Sequence, residues 1–328
     1  MRIVICPDKF RGTASASGAA QAIAAGFSAP DLDVVFMPLA DGGEGTLDAL
    51  GGANRITQVT GPLGDPVEAK WRLSSGEAVI EMAQASGLLL AGGSEGNDPL
   101  SASSSGTGEL IAEARASGAR RIVIGVGGSA STDGGLGAIR AMEPLVRFSG
   151  IELIVACDVQ TKFLDAASVF GPQKGATSAQ TELLRRRLVR LAEVYLDEFG
   201  VEVRGLARAG AAGGLGGGLA AVGAQLVDGF DLIAEEVQLA DAISNADLVI
   251  TGEGRLDAES FNGKVVGGVA SMADRYQVPV AAVVGSSTPG TTIPKNLKTY
   301  SLTEIFGKDL AFGDTRRCLT QVAPRLLT

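Results

Sequence analysis

The sequence predicts an α/β protein with a mostly parallel sheet, interrupted once by an antiparallel meander. Three observations carry that prediction. Short apolar runs recur, rich in Val and Ile and free of polar alternation, as strands buried on both faces require. Most of these runs end in a glycine-rich turn that opens a helical pattern, the rhythm of parallel strand–helix units. Residues 55–82 alone break the rhythm, alternating apolar and polar residues around turn signals.

At 328 residues the chain is long enough for two domains with cores of their own. The expected division is an N-terminal α/β lobe over 1–96, carrying the meander and recruiting part of 160–240, and a second lobe over 97–328. The boundary is expected to be discontinuous, with strands near 121–126, 152–157, 247–250 and 278–284 grouped in one lobe. Glycine is abundant, at 46 residues, and it clusters in a few turns, which argues for backbone-lined loops rather than low complexity. The net charge of −9 and the lack of a basic patch with interleaved aromatics argue against a nucleic-acid partner. The absence of histidine excludes an imidazole base, a Ser-His-Asp triad and a His-ligated metal. General base chemistry then falls to Asp, Glu or Lys. Cys6, Cys157 and Cys318 have no CxxC spacing and read as small core residues of a reducing, cytoplasmic compartment. The chain opens directly into a strand without a signal peptide, and no apolar run has membrane-spanning length, so no membrane is expected.

Taken in order, Arg2–Cys6 reads as a first strand ending in PDKFRGTASASG. Asp8, Lys9 and Arg11 then stand at the C-terminal end of a strand, where open α/β sheets place ligands. Ser15 or Ser17 caps the next helix. Val34–Met37 repeats the arrangement and leads into ADGGEGT. There Asp41 and Glu44 either cap a helix or serve chemistry as Mg²⁺ ligands or proton acceptors. Residues 101–110 place hydroxyls and glycines before an amphipathic helix over 109–117. Arg121–Val126 is a buried strand entering GVGGSASTDGGLG (Gly125–Gly137), with a helix beginning near Asp133 or Gly134. Such a turn offers backbone N–H groups, hydroxyls and a helix dipole, which suits phosphate; the alternative is a tight turn whose glycines serve backbone geometry alone. It matches neither a Walker loop nor a dinucleotide fingerprint. Glu152–Cys157 is another buried strand, followed by VFGPQKGA with Lys174. Residues 178–198 form a helix whose Leu183, Leu184, Leu188, Leu191 and Tyr195 keep helical spacing as core. ARAGAAGGLGGGLAA, 207–221, is a second glycine cluster. A strand over 246–250 leads into TGEGRLDAESFNGK, from which Glu253, Arg255, Asp257 and Lys264 emerge. This densest ionisable cluster either pairs internally or meets a charged ligand. Val278–Gly285 is a last buried strand, and nothing after Lys295 stands out.

Together PDKFRGTASA, ADGGEGT, VTGPLGDPVEA, SSGTGELI, GVGGSASTDGG, VACDV, VFGPQKGA, GAAGGLG and TGEGRLDAES resemble the bacterial type I glycerate kinase family, in the same order from Met1 to about Val284. The resemblance implies two α/β domains, one of them flavodoxin-like, with the active site in the cleft between them. It further implies phosphorylation of D-glycerate by ATP with Mg²⁺, giving 2-phosphoglycerate, or 3-phosphoglycerate as described for some members. The matching positions are Asp8, Lys9 and Gly12; Asp41, Gly42, Gly43 and Glu44; Gly127, Gly128, Ser129, Asp133 and Gly134; Gln173, Lys174 and Gly175; and Glu253, Arg255, Asp257 and Lys264. The family usually carries Lys at the position of Arg11, an aromatic at Ser105, Gln at Glu259, a different 160–164 sequence and a longer segment between Ala141 and Ile151.

Phosphoryl transfer needs N–H donors, cations, a divalent metal and a carboxylate near the attacking hydroxyl. The catalytic expectation is therefore Asp41, Asp133, Asp257 and Lys9, with Asp133 or Asp257 as base. Asp8, Arg11, Arg255 and Lys264 are expected to bind substrate. Gly127, Gly128, Ser129, Gly134 and Lys174 are expected to hold ATP, and Asp41, Glu44 and Glu253 the Mg²⁺. The partners are small molecules only, on a monomer or homodimer. A non-catalytic relative that binds a sugar acid or nucleotide, and a kinase for a related hydroxy acid, are the alternatives; release of ADP with D-glycerate separates the first from the glycerate kinase, and a substrate panel in the same assay tests the second.

Overall fold

The computed structural model describes residues 1–28, 31–261 and 263–327. Among them the strands are β1 (Arg2–Ile5), β2 (Asp33–Phe36), β3 (Arg55–Thr60), β4 (Pro66–Ser74), β5 (Glu77–Glu81), β6 (Arg121–Gly125), β7 (Glu152–Cys157), β8 (Gln225–Asp228), β9 (Leu248–Leu256), β10 (Val280–Ser287) and β11 (Leu297–Ser301). They form two sheets, and the chain divides into two compact units. A terminal unit comprises Met1–Asp41, Asp48–Leu50 and Gly229–Thr328; a central unit comprises Gly42–Leu47 and Gly51–Asp228.

The terminal unit holds a five-stranded, wholly parallel sheet in the order β2-β1-β9-β10-β11. Counted within the unit this is 2-1-3-4-5, the flavodoxin-like order. Alternate residues of β1, with Cys6 just after it, explain why the segment reads as continuously apolar. Val4 and Cys6 pack on one face with Phe230, Ile233 and Val269, whereas Ile3 and Ile5 pack on the other with Ile23, Leu319 and Val322. Helices Gly229–Glu236 and Val265–Arg275 thus cover one face, and Ala16–Ala25 and Thr315–Val322 the other. The segment after Lys295 contributes the edge strand β11 and the helix Thr315–Val322, which seats Thr320 on Ala22: its Oγ1 donates to the Ala22 carbonyl at 2.9 Å.

The central unit holds a six-stranded mixed sheet, β3-β4-β5-β6-β7-β8. The meander β3-β4-β5 is antiparallel as expected, and β5 through β8 are parallel. Trp71, buried on β4, packs with Ile80, Leu110, Ile111 and Ile124. The helix Ser178–Phe199 opens with a capping box between Thr177 and Gln180, and it buries Leu184, Leu188, Ala192 and Tyr195.

The strand grouping departs from the sequence-based one. The meander shares a sheet with β6 and β7 rather than with β1 and β2, and the flavodoxin-like sheet is built from the two ends of the chain rather than from 97–328. Sequence adjacency cannot reveal this, because β1 pairs with β9 across more than two hundred residues while every parallel strand presents the same apolar pattern. β9 also runs to Leu256 instead of ending at Ile250, since β10 pairs with it as far as Ser287.

Candidate functional site

In a 2-1-3-4-5 sheet the crevice for ligands lies at the C-terminal ends of the first and third strands, where the winding reverses. Here those strands are β1 and β9. The Asp8 amide donates to the Gly252 carbonyl at 2.8 Å, which fixes the segment after β1 against β9. Phe10 and Ala14 close a tight turn with Gly12 at φ +78°. Gly254 lies under this turn: a Cβ there would stand 3.1 Å from the Arg11 nitrogen. The carriers of charge on the first loop and on β9 are thereby brought together.

Glu253 and Arg255 sit on β9 itself, two residues apart and so on one face of the strand. Asp8 and Glu253 are each only 9% exposed. Burial raises the Asp8 carboxyl from 3.8 to about 7, with the Asp41 charge pushing the same way and Lys9 and Lys264 opposing. Burial likewise raises Glu253 from 4.5 to about 7; a Ser260 hydrogen bond and Lys264 oppose it, and Asp8 and Asp257 reinforce it. Glu253 Oε1 has no hydrogen-bond partner among the described residues. Lys9 Nζ lies 3.8 Å from Asp8 Oδ1, and Lys264 Nζ lies 3.4 Å from Glu259 Oε2. Asp257 Oδ1 accepts from the Glu259 amide at 2.9 Å, and Arg255 Nε donates to Thr288 Oγ1 at 3.2 Å. The structure therefore gathers Asp8, Lys9, Asp41, Glu253, Asp257 and Lys264 into one electrostatically coupled group. Arg11 and Arg255 are exposed beside it.

The central unit contains the glycine-rich turns. Gly42, at φ +90°, passes so close to the end of β7 that a Cβ would lie 2.8 Å from the Ala156 carbonyl carbon. Gly127 meets Gly43 in the same way, at 2.8 Å. The Gly42–Leu47 loop and the turn after β6 are thus packed backbone to backbone. Gly127 is half-buried and Gly128 exposed, and neither N–H has a backbone partner among the described residues. Beyond them the turn goes inside: Ser129, Ser131 and Thr132 are buried. Asp133 accepts from Ser104 N (2.9 Å), Ser104 Oγ (2.8 Å), Gly135 N (3.2 Å) and Gly137 N (3.2 Å). Ser104 Oγ in turn accepts from Ala138 N at 3.0 Å. The helix begins at Leu136 and has seven residues, rather than starting near Asp133. Its first amides are satisfied by the chain's own acceptors, so its dipole does not open onto an outside anion as expected. Gly134 packs against Leu188, Leu191 and Phe163, and its carbonyl accepts from Tyr195 Oη at 3.0 Å.

Lys174 is buried to 2%. Its ammonium donates to Ser129 Oγ at 2.7 Å and to the Ser131 carbonyl at 2.6 Å. Burial pulls its pKa down from 10.5 to about 7, against the Asp133 charge. Its contacts are with the protein's own turn. Sequence reading overlooked Glu81, at the end of β5, whose Oε1 accepts from the Gly45 and Leu47 amides at 2.8 Å each and holds the Gly42–Leu47 loop. Burial raises its pKa as well. The available signal was an acid at the close of an otherwise apolar strand, Ala78-Val-Ile-Glu81.

Among the described residues no three acidic or cysteine side chains form a ready metal cage, and no helix is long and apolar enough to cross a membrane. Hard carboxylate oxygens do suit Mg²⁺, which takes only one or two protein carboxylates and completes its shell with water and phosphate. Buried Glu253, with its unpartnered oxygen, fits that role.

A model of the glycerate kinase family matches residues 3–144 and 145–326; the two stretches meet inside the 141–151 segment. The chain is 42% identical to glycerate 2-kinase of Escherichia coli K12, covering 88% of this chain and 86% of that one. It is equally 42% identical, over the same shares, to glycerate kinase of Halalkalibacterium halodurans. A glycerate kinase 2 crystal structure from Salmonella typhimurium LT2 superposes with a TM-score of 0.82 at 37% identity, covering 99% of this chain and 96% of that one. With matches spanning both sheets and the site-bearing turns of each, this chain belongs to the glycerate kinase family and is a kinase.

Proposed function

We propose that the protein transfers the γ-phosphoryl group of ATP to D-glycerate, giving 2-phosphoglycerate. The observation that carries this reading is the Asp8–Lys9–Asp41–Glu253–Asp257–Lys264 group at the β1/β9 switch point, where buried Glu253 keeps one oxygen without a partner among the described residues. The similarity to a glycerate 2-kinase supports the 2-position.

Exposed Arg11 and Arg255 receive the glycerate carboxylate, a pairing that guanidinium geometry favours. The attacking hydroxyl gives its proton to the carboxylate of Asp8 or Asp257. Asp133 does not take that part, because its oxygens already accept four hydrogen bonds. Asp41 and Glu253 would hold Mg²⁺, which when bound neutralises charge on the phosphates. Within the central unit, the N–H groups of Gly127 and Gly128 offer donors to phosphate oxygens. Lys174 supports that turn from inside.

ADP release coupled to D-glycerate, with L-glycerate and other hydroxy acids in parallel, tests the activity; phosphorus NMR of the product tests the position. Release of ADP with D-glycerate and formation of the 2-phosphate are expected. No glycerate-dependent ADP release would end the proposal. Full turnover of both Asp8→Asn and Asp257→Asn would remove these two aspartates from the proton transfer.

A further inference from the structure

A cavity of about 320 Å³ lies wholly within the central unit, beside the turn that follows β6. Leu100 and Leu136 line one part, and Leu184, Leu188 and Leu191 of the helix Ser178–Phe199 line the other. Its size falls at the low end of small-molecule pockets, enough for one nucleoside and too little for a dinucleotide.

Two features mark it as a built site rather than a packing gap. Thr132 lines it, is 2% exposed, and its Oγ1 has no hydrogen-bond partner among the described residues. A buried hydroxyl left without a partner is costly, and a ligand that pairs it recovers that cost. Arg187 and Arg190 also line the cavity, one helical turn apart and both exposed. Arg187 Nη1 donates to the Leu100 carbonyl at 2.8 Å and braces that wall. A guanidinium beside an apolar slot suits a flat aromatic ring, on which it can stack.

We propose that this cavity seats the purine nucleoside of ATP, with Thr132 Oγ1 hydrogen-bonding the base edge and Arg190 covering its outer side. The inference rests on the phosphate-donor reading above. Thr132 stands four residues beyond Gly128, so chain connectivity keeps the cavity within about 14 Å of the phosphate-contacting amides. A nucleoside triphosphate covers such a span. An aliphatic acid would fill the walls but leave the Thr132 hydroxyl and the Arg190 face unused.

The test uses the full chain and steady-state kinetics with ATP and D-glycerate, together with calorimetric titration by ADP and by adenosine. Val194→Trp and Leu100→Trp narrow the cavity from half-buried positions without emptying the core. Each is expected to raise the KM for ATP at least tenfold while kcat and the KM for glycerate stay within twofold, and adenosine binding is lost. Thr132→Val keeps the shape and removes the orphan hydroxyl. It is expected to hold or raise Tm, so folding is not in question, and to raise the KM for ATP severalfold. Wild-type turnover of ATP with unchanged ATP affinity in all three variants overturns the nucleoside assignment and leaves the kinase reading standing. Failure of the wild type to bind or use ATP overturns both.

Discussion

The two candidate site regions are built in opposite ways. In the terminal unit, charge stays unsettled: Asp8 and Glu253 are buried carboxylates pushed up to about 7, and Glu253 keeps an oxygen without a partner. In the central unit, the comparably polar turn after β6 is mostly settled. Asp133 accepts four hydrogen bonds, Lys174 donates two, and Gly134 is packed among Leu188, Leu191 and Phe163. Within 125–137 Gly128 is the one exposed residue, and Gly127 beside it is half-buried. The difference teaches that a motif rich in Gly, Ser and Asp is no measure of reactivity. What separates a reacting group from a supporting one is whether the fold has already met its hydrogen-bonding capacity.

The largest effect that would sharpen this contrast is expected at Glu253. Glu253→Gln keeps the shape and removes the charge, so turnover should fall by roughly a thousandfold or more if the charge serves the phosphoryl transfer. Stability should move the other way. The folded chain holds the extra proton between pH 4.5 and about 7, so stability is lost as pH rises through that window. At pH 8 without divalent cations the variant should therefore melt higher than wild type. A lower Tm with retained activity would erase the distinction between the regions.

Lys174 is expected to give a smaller, pH-dependent effect. Its folded pKa lies near 7, below the unfolded value of 10.5, so the unfolded chain binds more protons between those values and stability is gained as pH rises from about 7 to 10. Lys174→Met should flatten that slope in thermal melts across pH 7–10. An unchanged slope would show that the lysine does not bear on the stability of the 129–134 turn. The smallest expected effect belongs to Tyr195→Phe. Loss of its hydrogen bond to the Gly134 carbonyl should cost about 1 kcal/mol in urea unfolding, with kcat within twofold. A large loss of kcat would mean that Gly134 has a part in the chemistry beyond packing.

Much of this organisation can be read without coordinates. The parallel strands, the meander over 55–82 and the long helix follow from local periodicity, because burial on both faces, on one face, or along a stripe each leaves its own pattern. The residues that carry charge at the ends of β1 and β9 were also recognisable, since acids and cations in glycine-rich turns after apolar strands are costly unless they are used. Which strand lies beside which was decided only in three dimensions. β1 meets β9, and so Asp8 meets Glu253, through pairing between chain ends that no local pattern encodes. The hydrogen-bond partners of Asp133, Lys174 and Glu81 were likewise decided by the fold: Ser104, Ser129 and the Gly45 and Leu47 amides occupy them. Sequence determines which groups can bond. Whether they are already bonded depends on distances of a few ångströms between segments far apart along the chain, and only the packed fold sets those.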